Sequence, residues 1–436
     1  MFRTFVERSI VVVIMAILMS FTISSNFYLN SSQATKFNNN SQRNNQILLE
    51  LEPFDNLIES LLALVHIPSL SAAIVKENEL VWAKGYGLFD IERNKDATKD
   101  TIYLVASISK TFTATAIMQL FEQGYFDLDD DVNEYLDFDL RNPKYPDVKI
   151  TFRMLLAHQS SIATDLTTFR TRALPGDLEI SGYPHPYFKE LLTQDGIHFK
   201  PQLWNDYSPG EDMYYANIGF GILGYLVEQI SGQSFEDYCR EHIFDPLEMY
   251  NTSFRLTNIN ISRAAVPYEY QHWRYIPYFH YQILEYPAGG LRTSVTDLSH
   301  FLISHMNNGT FGTTQILTSE SVKEMHTIQY ASDTYDFQYG LGFQIWKTST
   351  GMKIGHGGGL YGVATKMVFK ESKDIGIIMF FNKAVENLRD KFVFSIIEQL
   401  LFQKGRGFET EEFNAGKLLE TIRFNRWLSE DFKIHN

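Results

Sequence analysis

Patterns typical of β-strands occur near both ends of the chain, and the stretch between them is mostly helical in pattern. Residues 71–76 and 80–86 are rich in apolar and β-branched side chains, and residues 77–79 between them predict a hairpin turn. Further strand patterns lie near the other end, at residues 352–355, 365–370 and 375–381. Because these strands must bury their apolar faces together, the arrangement favours one mainly antiparallel sheet built from both chain ends.

The central part of the chain, from Ser107 to about residue 330, contains mostly helical patterns and long loops. Within it, residues 164–204 are rich in proline, glycine and aromatic side chains and predict an irregular insertion. Helical patterns at residues 54–62 and 387–402 flank the strand patterns. We therefore expect an α/β fold of the α+β kind, in which terminal helices cover the sheet and an all-helical lobe is inserted beside a cleft.

The N-terminus has the features of a membrane-targeting segment. Arg3 and Arg8 precede an apolar run over residues 10–23, which is shorter than the roughly 20 residues that a spanning helix needs. This pattern predicts a signal peptide with cleavage after Ala34, or an uncleaved anchor if apolar residues up to position 29 extend the run. In either case we expect the rest of the chain to be secreted or anchored at the outer face of the cell membrane.

The chain thus divides into four predicted regions. They are a targeting segment at 1–34, a flexible polar linker at 35–47, a folded domain at 48–403 and a polar C-terminal extension at 404–436. The linker is rich in asparagine and has no apolar periodicity, which is typical of a tether. The oligomeric state does not follow from these patterns.

Composition excludes several classes of function. The formal net charge of −14, with no basic run, disfavours nucleic-acid binding. Cys239 is the single cysteine, so no disulfide can form within the chain, and its helical surroundings predict a buried packing role. The histidines form no metal-ligand motif, and Gly357 to Gly362 fit G-x-G-x-x-G only formally, because a strand pattern follows where a helix is required. We therefore expect neither a metal nor a cofactor.

Ser107-Ile108-Ser109-Lys110 is the only S-x-x-K sequence in the chain. It begins a helical pattern, so Ser107 and Lys110, three residues apart, would share one helix face. A serine hydroxyl becomes a good nucleophile when a neighbouring base takes its proton, and the positive end of a helix lowers the pKa of a lysine there. One interpretation makes Ser107 the nucleophile and Lys110 the base; the other is an ordinary helix start with Ser107 as N-cap.

A second candidate element is Tyr215-Ala216-Asn217, which precedes a helical pattern over residues 218–230. A phenol near an ammonium loses its proton more easily and can relay it to a leaving group. The asparagine amide can bind both a substrate carbonyl and the lysine. A core tyrosine followed by an N-cap asparagine is the structural alternative.

The third element is Gly355-His356-Gly357-Gly358-Gly359, at the end of a predicted strand. Glycines allow a substrate to lie flat along a strand, and a backbone N–H there can face an oxyanion. His356, Gly358 and Gly359 are therefore candidate substrate-binding residues.

The order S-x-x-K, Y-x-N, H-x-G resembles the motifs of the penicillin-recognising serine hydrolases. This superfamily includes class C β-lactamases, D-alanyl-D-alanine carboxypeptidases, D-amino-acid peptidases and β-lactamase-fold esterases. Segments 150–162, 235–254 and 287–302 are also similar to family patterns, although Ser161 stands where a glycine is usual. The likeness covers residues 52–403 and implies a β-lactamase/transpeptidase-like fold.

The resemblance also implies a role for each motif residue. Ser107 would be acylated, with Lys110 as the base or its partner. Tyr215 would shuttle the proton, and Asn217 would orient substrate and lysine. The backbone N–H groups of Ser107 and Gly359 would form the oxyanion hole.

His356 stands where the lactamase and carboxypeptidase branches of this family usually carry a lysine. A lysine offers a fixed charge to a substrate carboxylate, whereas histidine is mostly neutral near pH 7. We expect His356 to meet the polar end of the substrate and to change activity by its protonation between about pH 5 and 7. The departure favours a small ester or a D-amino-acid peptide as substrate over β-lactams. A non-catalytic binding or sensor domain is the alternative function.

Overall fold

The computed structural model describes residues 53–163, 173–176, 187–331, 334–349 and 351–407. The chain divides into two compact units, residues 1–55 and 56–436, and nearly all of the first lies outside the described residues. The predicted targeting segment and linker, and most of the predicted C-terminal extension, also lie outside them. None of the helices that are described is both long and apolar enough to cross a lipid bilayer.

The described strands form one large sheet and several two-stranded sheets. In chain order they are β1 Ser69–Lys76, β2 Glu79–Asp90, β3 Lys95–Asp96, β4 Tyr103–Leu104, β5 Ala173–Pro175, β6 Tyr268–Gln271, β7 Arg274–Pro277, β8 Tyr281–Ile283, β9 Arg292–Thr293, β10 Thr310–Phe311, β11 Thr314–Gln315, β12 Gln338–Tyr339, β13 Gln344–Thr348, β14 Gly351–Leu360, β15 Val363–Lys370 and β16 Ile375–Phe381. Eight of them form the large sheet in the order β12-β13-β14-β15-β16-β1-β2-β3, with every neighbouring pair antiparallel.

The strands from the two chain ends meet at β1 and β16. Leu70 lies opposite Phe381 and Lys76 opposite Ile375. Every residue of β16 is buried, which explains its uninterrupted apolar run. The structure thus confirms the predicted antiparallel sheet assembled from both ends of the chain.

The described α-helices, in chain order, are α1 Pro53–Leu64, α2 Ser109–Glu122, α3 Phe152–Leu156, α4 Tyr187–Leu192, α5 Asn217–Ser231, α6 Phe235–Cys239, α7 Tyr286–Gly289, α8 Val295–Met306, α9 Ser319–Met325 and α10 Leu388–Gly405. Two of them pack on the sheet at neighbouring residues of β16. Gly376 lies against Leu302 and Met306 of α8, and Ile375 lies against Gly405 of α10. Because successive strand residues point to opposite faces, α8 and α10 cover opposite faces of the sheet. Of these, α10 is a terminal helix that was predicted to cover the sheet, whereas α8 belongs to the central part of the chain.

The part of the chain between the two groups of sheet strands is not all-helical, which corrects the prediction in this respect. Besides helices it contains small two-stranded sheets, β6 with β7 and β10 with β11. The turn between β6 and β7 lies at His272 and Trp273, both with left-handed φ values. Strands of two to four residues offer too few alternating positions to be distinguished from loops in a sequence.

Helix α2 lies within the hydrophobic core, and this burial fixes the start of the helix. Every residue from Ser109 to Leu120 is buried. The ring of Phe112 stacks on that of Phe301 of α8, with 3.8 Å between centroids. Cys239 is also fully buried, which confirms its predicted packing role. A close-packed core of this kind leaves little freedom to side chains at the first turn of α2.

Candidate active site

Ser107 lies in a single 3₁₀ turn, Ala106–Ile108, between β4 and α2. Ala106 has a φ of 49°, a left-handed value that is costly for a residue with a side chain and that is common at functional sites. Ala106 and Ile108 are fully buried, whereas Ser107 between them is partly exposed. The strained turn therefore holds the Ser107 hydroxyl at the surface of the core.

Lys110 is fully buried one turn further on, and three polar atoms surround its amine. Nζ lies 3.1 Å from Ser107 Oγ, 2.8 Å from Asn217 Oδ1 and 2.7 Å from the backbone oxygen of Ala288. Burial holds the pKa of Lys110 well below its usual value of 10.5, although the nearby Glu285 carboxylate partly opposes this. The neutral form of the amine is thereby favoured.

In its neutral form the Lys110 amine is oriented as a base. A neutral amine has two N–H donors and one lone pair, whereas carbonyl oxygens only accept hydrogen bonds. The oxygens of Asn217 and Ala288 take the two N–H groups, so the lone pair faces the Ser107 hydroxyl. Ser107 can therefore give its proton to Lys110 without any rearrangement.

Tyr215 completes the group around the Ser107 hydroxyl. Its phenol is hydrogen-bonded to Ser107, and Lys110 Nζ lies 4.9 Å from the centre of its ring. Burial raises the pKa of Tyr215 above its usual value of 10, and the hydrogen bond with Ser107 lowers it less. The expectation that a neighbouring ammonium makes this phenol lose its proton easily is therefore wrong, and Tyr215 is a neutral phenol in the resting site.

Asn217 is the first residue of α5, and Ala216 before it is the N-cap. The Asn217 side chain does not cap its own helix. It accepts a hydrogen bond from Lys110, as predicted from the motif. Its contact with a substrate carbonyl stays a prediction.

The glycine-rich half of β14 pairs with β15 along one edge, and no described strand pairs with its other edge beyond Gly355. The Gly357 N–H donates to the side-chain oxygen of Gln344 at 2.9 Å. Successive N–H groups of a strand point to opposite sides, so the Gly359 N–H points to this same edge. No atom lies within 4 Å of the position that a Gly359 side chain would occupy. Gly359, like the Ser107 N–H at the start of a helical turn, is thus placed for the predicted oxyanion role.

Gly358 faces the opposite side of the strand, where it contacts the turn that carries Ser107. A side chain there would clash with the backbone oxygen of Val105 and with Thr365 Oγ1. Thr365 in turn donates to the same Val105 oxygen at 2.8 Å. Gly358 therefore lets β14 approach the nucleophile turn. It also lines the cavity beside β14, and its role as a substrate-binding residue stays a prediction.

Replacing Gly358 with alanine is expected to lower kcat/KM roughly 10- to 100-fold, because β14 or the nucleophile turn must move. Stability should fall by about 1–3 kcal/mol. The matched control is Gly219→Ala in α5, whose methyl would lie at an ordinary 3.6 Å from Leu155 Cδ2. Measured kcat/KM and thermal unfolding check both effects. An unchanged kcat/KM in Gly358→Ala would mean that β14 does not position Ser107.

His356 lies on the same side of β14 as Gly358, and its ring is fully buried. Nδ1 donates to the Gly357 backbone oxygen at 2.5 Å, and Nε2 accepts from the Tyr339 hydroxyl at 2.9 Å. Burial, together with the nearby Lys110 amine, lowers the pKa of His356 to about 3. The predictions that His356 meets the polar end of the substrate and titrates between pH 5 and 7 are therefore wrong. Its ring is a buried, neutral link to Tyr339.

Several other groups that shape the site were not identified from the sequence. They are Gln344, Thr365, Glu285 and the backbone oxygen of Ala288. Ala288 lies in a segment with a family-like pattern, which could have indicated it. Gln344 and Thr365 act through strand pairing, which no local pattern indicates. Among the described residues, no group of three or more His, Cys, Asp and Glu side chains is placed to hold a metal ion.

Comparison with known families accounts for this arrangement. The family model described as Beta-lactamase matches residues 54–399. The chain belongs to the β-lactamase family. Its fold is the β-lactamase/transpeptidase-like one that the motifs predicted.

Relatives and solved structures show how far the similarity of this family member extends. Protein flp of Staphylococcus aureus (strain MW2) is 28% identical over 257 residues, 59% of this chain and 49% of flp. The chain thus spans about half the length of that curated relative. The octameric penicillin-binding protein homologue from Pyrococcus abyssi has a TM-score of 0.64 and 25% identity, covering 85% of this chain and 81% of its own. The D-amino acid amidase from Ochrobactrum anthropi SV3 shares the fold, with a TM-score of 0.64, 21% identity and coverages of 81% and 99%.

Proposed function

We propose that the chain hydrolyses an ester or an amide through an acyl-enzyme formed on Ser107. The observation that carries this proposal is the 3.1 Å contact between the Lys110 amine and the Ser107 hydroxyl, with the other contacts of the amine fixing its N–H groups. Serine is a poor nucleophile without a base beside it. Here the base is within reach, buried and correctly oriented.

The reaction has two halves. Ser107 Oγ attacks the substrate carbonyl carbon while its proton passes to Lys110, and the oxyanion faces the N–H groups of Ser107 and Gly359. The proton then moves from Lys110 through the neutral Tyr215 phenol to the leaving alcohol or amine, as its bond to the carbonyl carbon breaks. Water attacks the Ser107 ester by the reverse route, which releases the acid and restores the hydroxyl.

A cavity of about 630 Å³ lies beside the glycine-rich half of β14, and Ser107 is not among its lining residues. As a place for a part of the substrate away from the cleaved bond, it favours a neutral, apolar substituent. Its aromatic lining residues include Phe337, Trp346, Tyr361 and Phe394. Lys366 also lines it, but its amine is paired with Glu398 at 2.9 Å and lies 4.4 Å from the centre of the Trp346 ring. His356 is also buried and neutral, so this cavity offers little positive charge to bind a substrate carboxylate. We therefore rank small esters and D-amino-acid peptides or amides ahead of β-lactams.

A non-catalytic binding or sensor domain is the alternative function. Such a domain has no need for a base and a proton relay on the same hydroxyl. Lys110 and Tyr215 both contact Ser107. Burial of the Lys110 amine costs folding free energy, and a binding domain would gain nothing from that cost. The geometry therefore favours catalysis.

The proposal is tested by trapping and by turnover. The purified full-length chain is treated with a fluorescent fluorophosphonate, and we expect peptide mapping to find the adduct on Ser107. The same protein is given nitrophenyl esters, D-amino-acid amides, D-alanyl peptides and a chromogenic cephalosporin, and we expect the highest kcat/KM among the esters or D-amino-acid compounds. Neither adduct nor turnover would favour the binding domain. Fastest cleavage of the cephalosporin would overturn the substrate ranking and leave the acyl-enzyme intact.

We propose further that the enzyme works outside the cytoplasm. The basic residues Arg3 and Arg8 and the apolar run at 10–23 support this location. On cell fractionation, the full-length chain should be found in membranes or medium, and a version that starts at residue 47 should stay soluble. Recovery of the full-length chain in the cytosolic fraction would contradict the proposal.

A further inference from the structure

His158 lies just after α3, where it is almost fully buried. Its φ of 59° is left-handed, a conformation that residues with side chains adopt infrequently. Its ring packs against those of Tyr215 and Tyr339, with centroids 4.4 and 4.6 Å away. The reaction described above gives His158 no role, although it touches the residue proposed as the proton relay.

His158 binds the main chain on both sides of Tyr215. The Tyr214 N–H donates to the His158 backbone oxygen at 2.9 Å, and the Ala216 N–H donates to His158 Nδ1 at 3.2 Å. The N–H of Tyr215 itself donates to the Tyr335 hydroxyl at 3.1 Å. Three successive N–H groups are thus fixed, and His158 holds the outer two.

This contact requires one form of the ring. Because Nδ1 accepts the Ala216 N–H, the ring proton must sit on Nε2. Nε2 is buried and has no hydrogen-bond partner among the described residues, which costs free energy. A hydrocarbon side chain would fill the same space without that cost. The acceptor at Nδ1 is therefore what a histidine adds here.

The surroundings of the ring favour its neutral form. The Lys110 amine of α2 and the His356 ring of β14 are the basic groups that face it, and the phenols of Tyr215 and Tyr339 pack on it. Burial, with these basic groups, holds the pKa of His158 well below its usual value of 6.5. Nδ1 thus remains available as an acceptor near neutral pH.

We propose that His158 is a positioning residue, which fixes the main chain around Tyr215 so that the phenol stays in contact with the Ser107 hydroxyl. This inference rests on the proposed function, because it concerns the geometry of the proton relay. His158 itself carries no proton in the reaction. Misplacing a catalytic group by about 1 Å can cost roughly 100-fold in rate, so a loosened Tyr215 should lower kcat and leave substrate binding little changed.

The test compares His158→Asn with His158→Gly. Asparagine and glycine both tolerate a left-handed φ, and neither fills the space of the ring. Only asparagine has an oxygen that can replace Nδ1 as the acceptor of the Ala216 N–H. We expect kcat of His158→Gly to fall roughly 10- to 100-fold with KM within about threefold of the parent's, and His158→Asn to recover most of that loss.

Further measurements separate positioning from packing. In a Tyr215→Phe background, where the phenol is absent, His158→Gly should lower kcat little further. If the two substitutions lower kcat by fully additive free energies, the inference is overturned. In the unmodified protein, ¹⁵N NMR of the His158 ring should find the proton on Nε2, and a proton on Nδ1 would overturn it without any variant. Turnover by the parent with equal kcat in His158→Asn and His158→Gly would overturn this inference alone. A parent without turnover would overturn the proposed function and the inference with it.

Discussion

Replacing Ser107 with alanine is expected to lower kcat/KM by about 10³- to 10⁶-fold, because the variant lacks the atom that forms the acyl-enzyme. The free energy of unfolding should stay within about 1 kcal/mol of the parent's. Ser107 is partly exposed, and the Lys110 amine keeps its contacts with Asn217 and Ala288 when the hydroxyl is gone. The measurements are hydrolysis of whichever substrate the parent cleaves and urea unfolding of both proteins.

The control for this prediction is Ser60→Ala. Ser60 is exposed on α1, and its hydroxyl donates only within that helix, to the Asn56 backbone oxygen at 2.7 Å. Neither activity nor stability should change there. Turnover by Ser107→Ala at the rate of the parent would disprove the nucleophile. A loss of activity accompanied by an equally large loss of stability would mean that the hydroxyl holds the turn together.

The strands that the sequence identifies best are those whose pattern is set by burial. Residues 375–381 were predicted as a strand and coincide with β16, since every side chain there is buried and apolar. β14 was predicted to end at residue 355 but runs to Leu360. Glycine disfavours strands, yet residues 356–360 pair one by one with β15. Pairing with β15 overrides the low strand preference of glycine here. No local sequence pattern indicates such a pairing.

The site was predictable where the chemistry depends on spacing along one helix. Ser107 and Lys110, three residues apart, do meet. Asn217, 107 residues beyond Lys110, could be joined to them only through the resemblance to a family. The direction of His356 was not predictable, because strand residues alternate in facing and its neighbours are all glycines, which show no preference for either side.

The charge state of Tyr215 was mispredicted for a related reason. A sequence shows which titratable groups are present, but the depth of burial decides their pKa values. Lys110 was expected to have a lowered pKa because of its place at a helix start, and Tyr215 was expected to lose its proton easily beside an ammonium. In the folded chain, burial lowers the pKa of Lys110 and raises that of Tyr215, so both groups favour their neutral forms.

Replacing Lys110 with methionine is therefore expected to lower kcat/KM by about 10²- to 10⁴-fold, the usual contribution of a general base. Methionine fills similar space but has no lone pair that can take the Ser107 proton. The control is Lys95→Met at an exposed position of β3, which should leave kcat/KM unchanged. Parent-like turnover by Lys110→Met would mean that another group activates Ser107.

The same variant tests the charge state of Lys110 through the pH dependence of stability. In the unfolded chain the lysine binds a proton below its usual pKa of 10.5, whereas in the folded chain its pKa lies well below that value. As the pH falls from 10.5, the unfolded state gains a proton that the folded state does not, so the unfolding free energy of the parent decreases until the folded-state pKa is reached. Lys110→Met has no titratable group at this position, so its unfolding free energy lacks this dependence on pH. Its unfolding free energy minus that of the parent should thus rise as urea titrations move down from pH 10 towards pH 7, until the folded-state pKa of Lys110 is reached. A constant difference across this range would mean that Lys110 stays protonated in the folded protein, and an ammonium cannot accept the Ser107 proton.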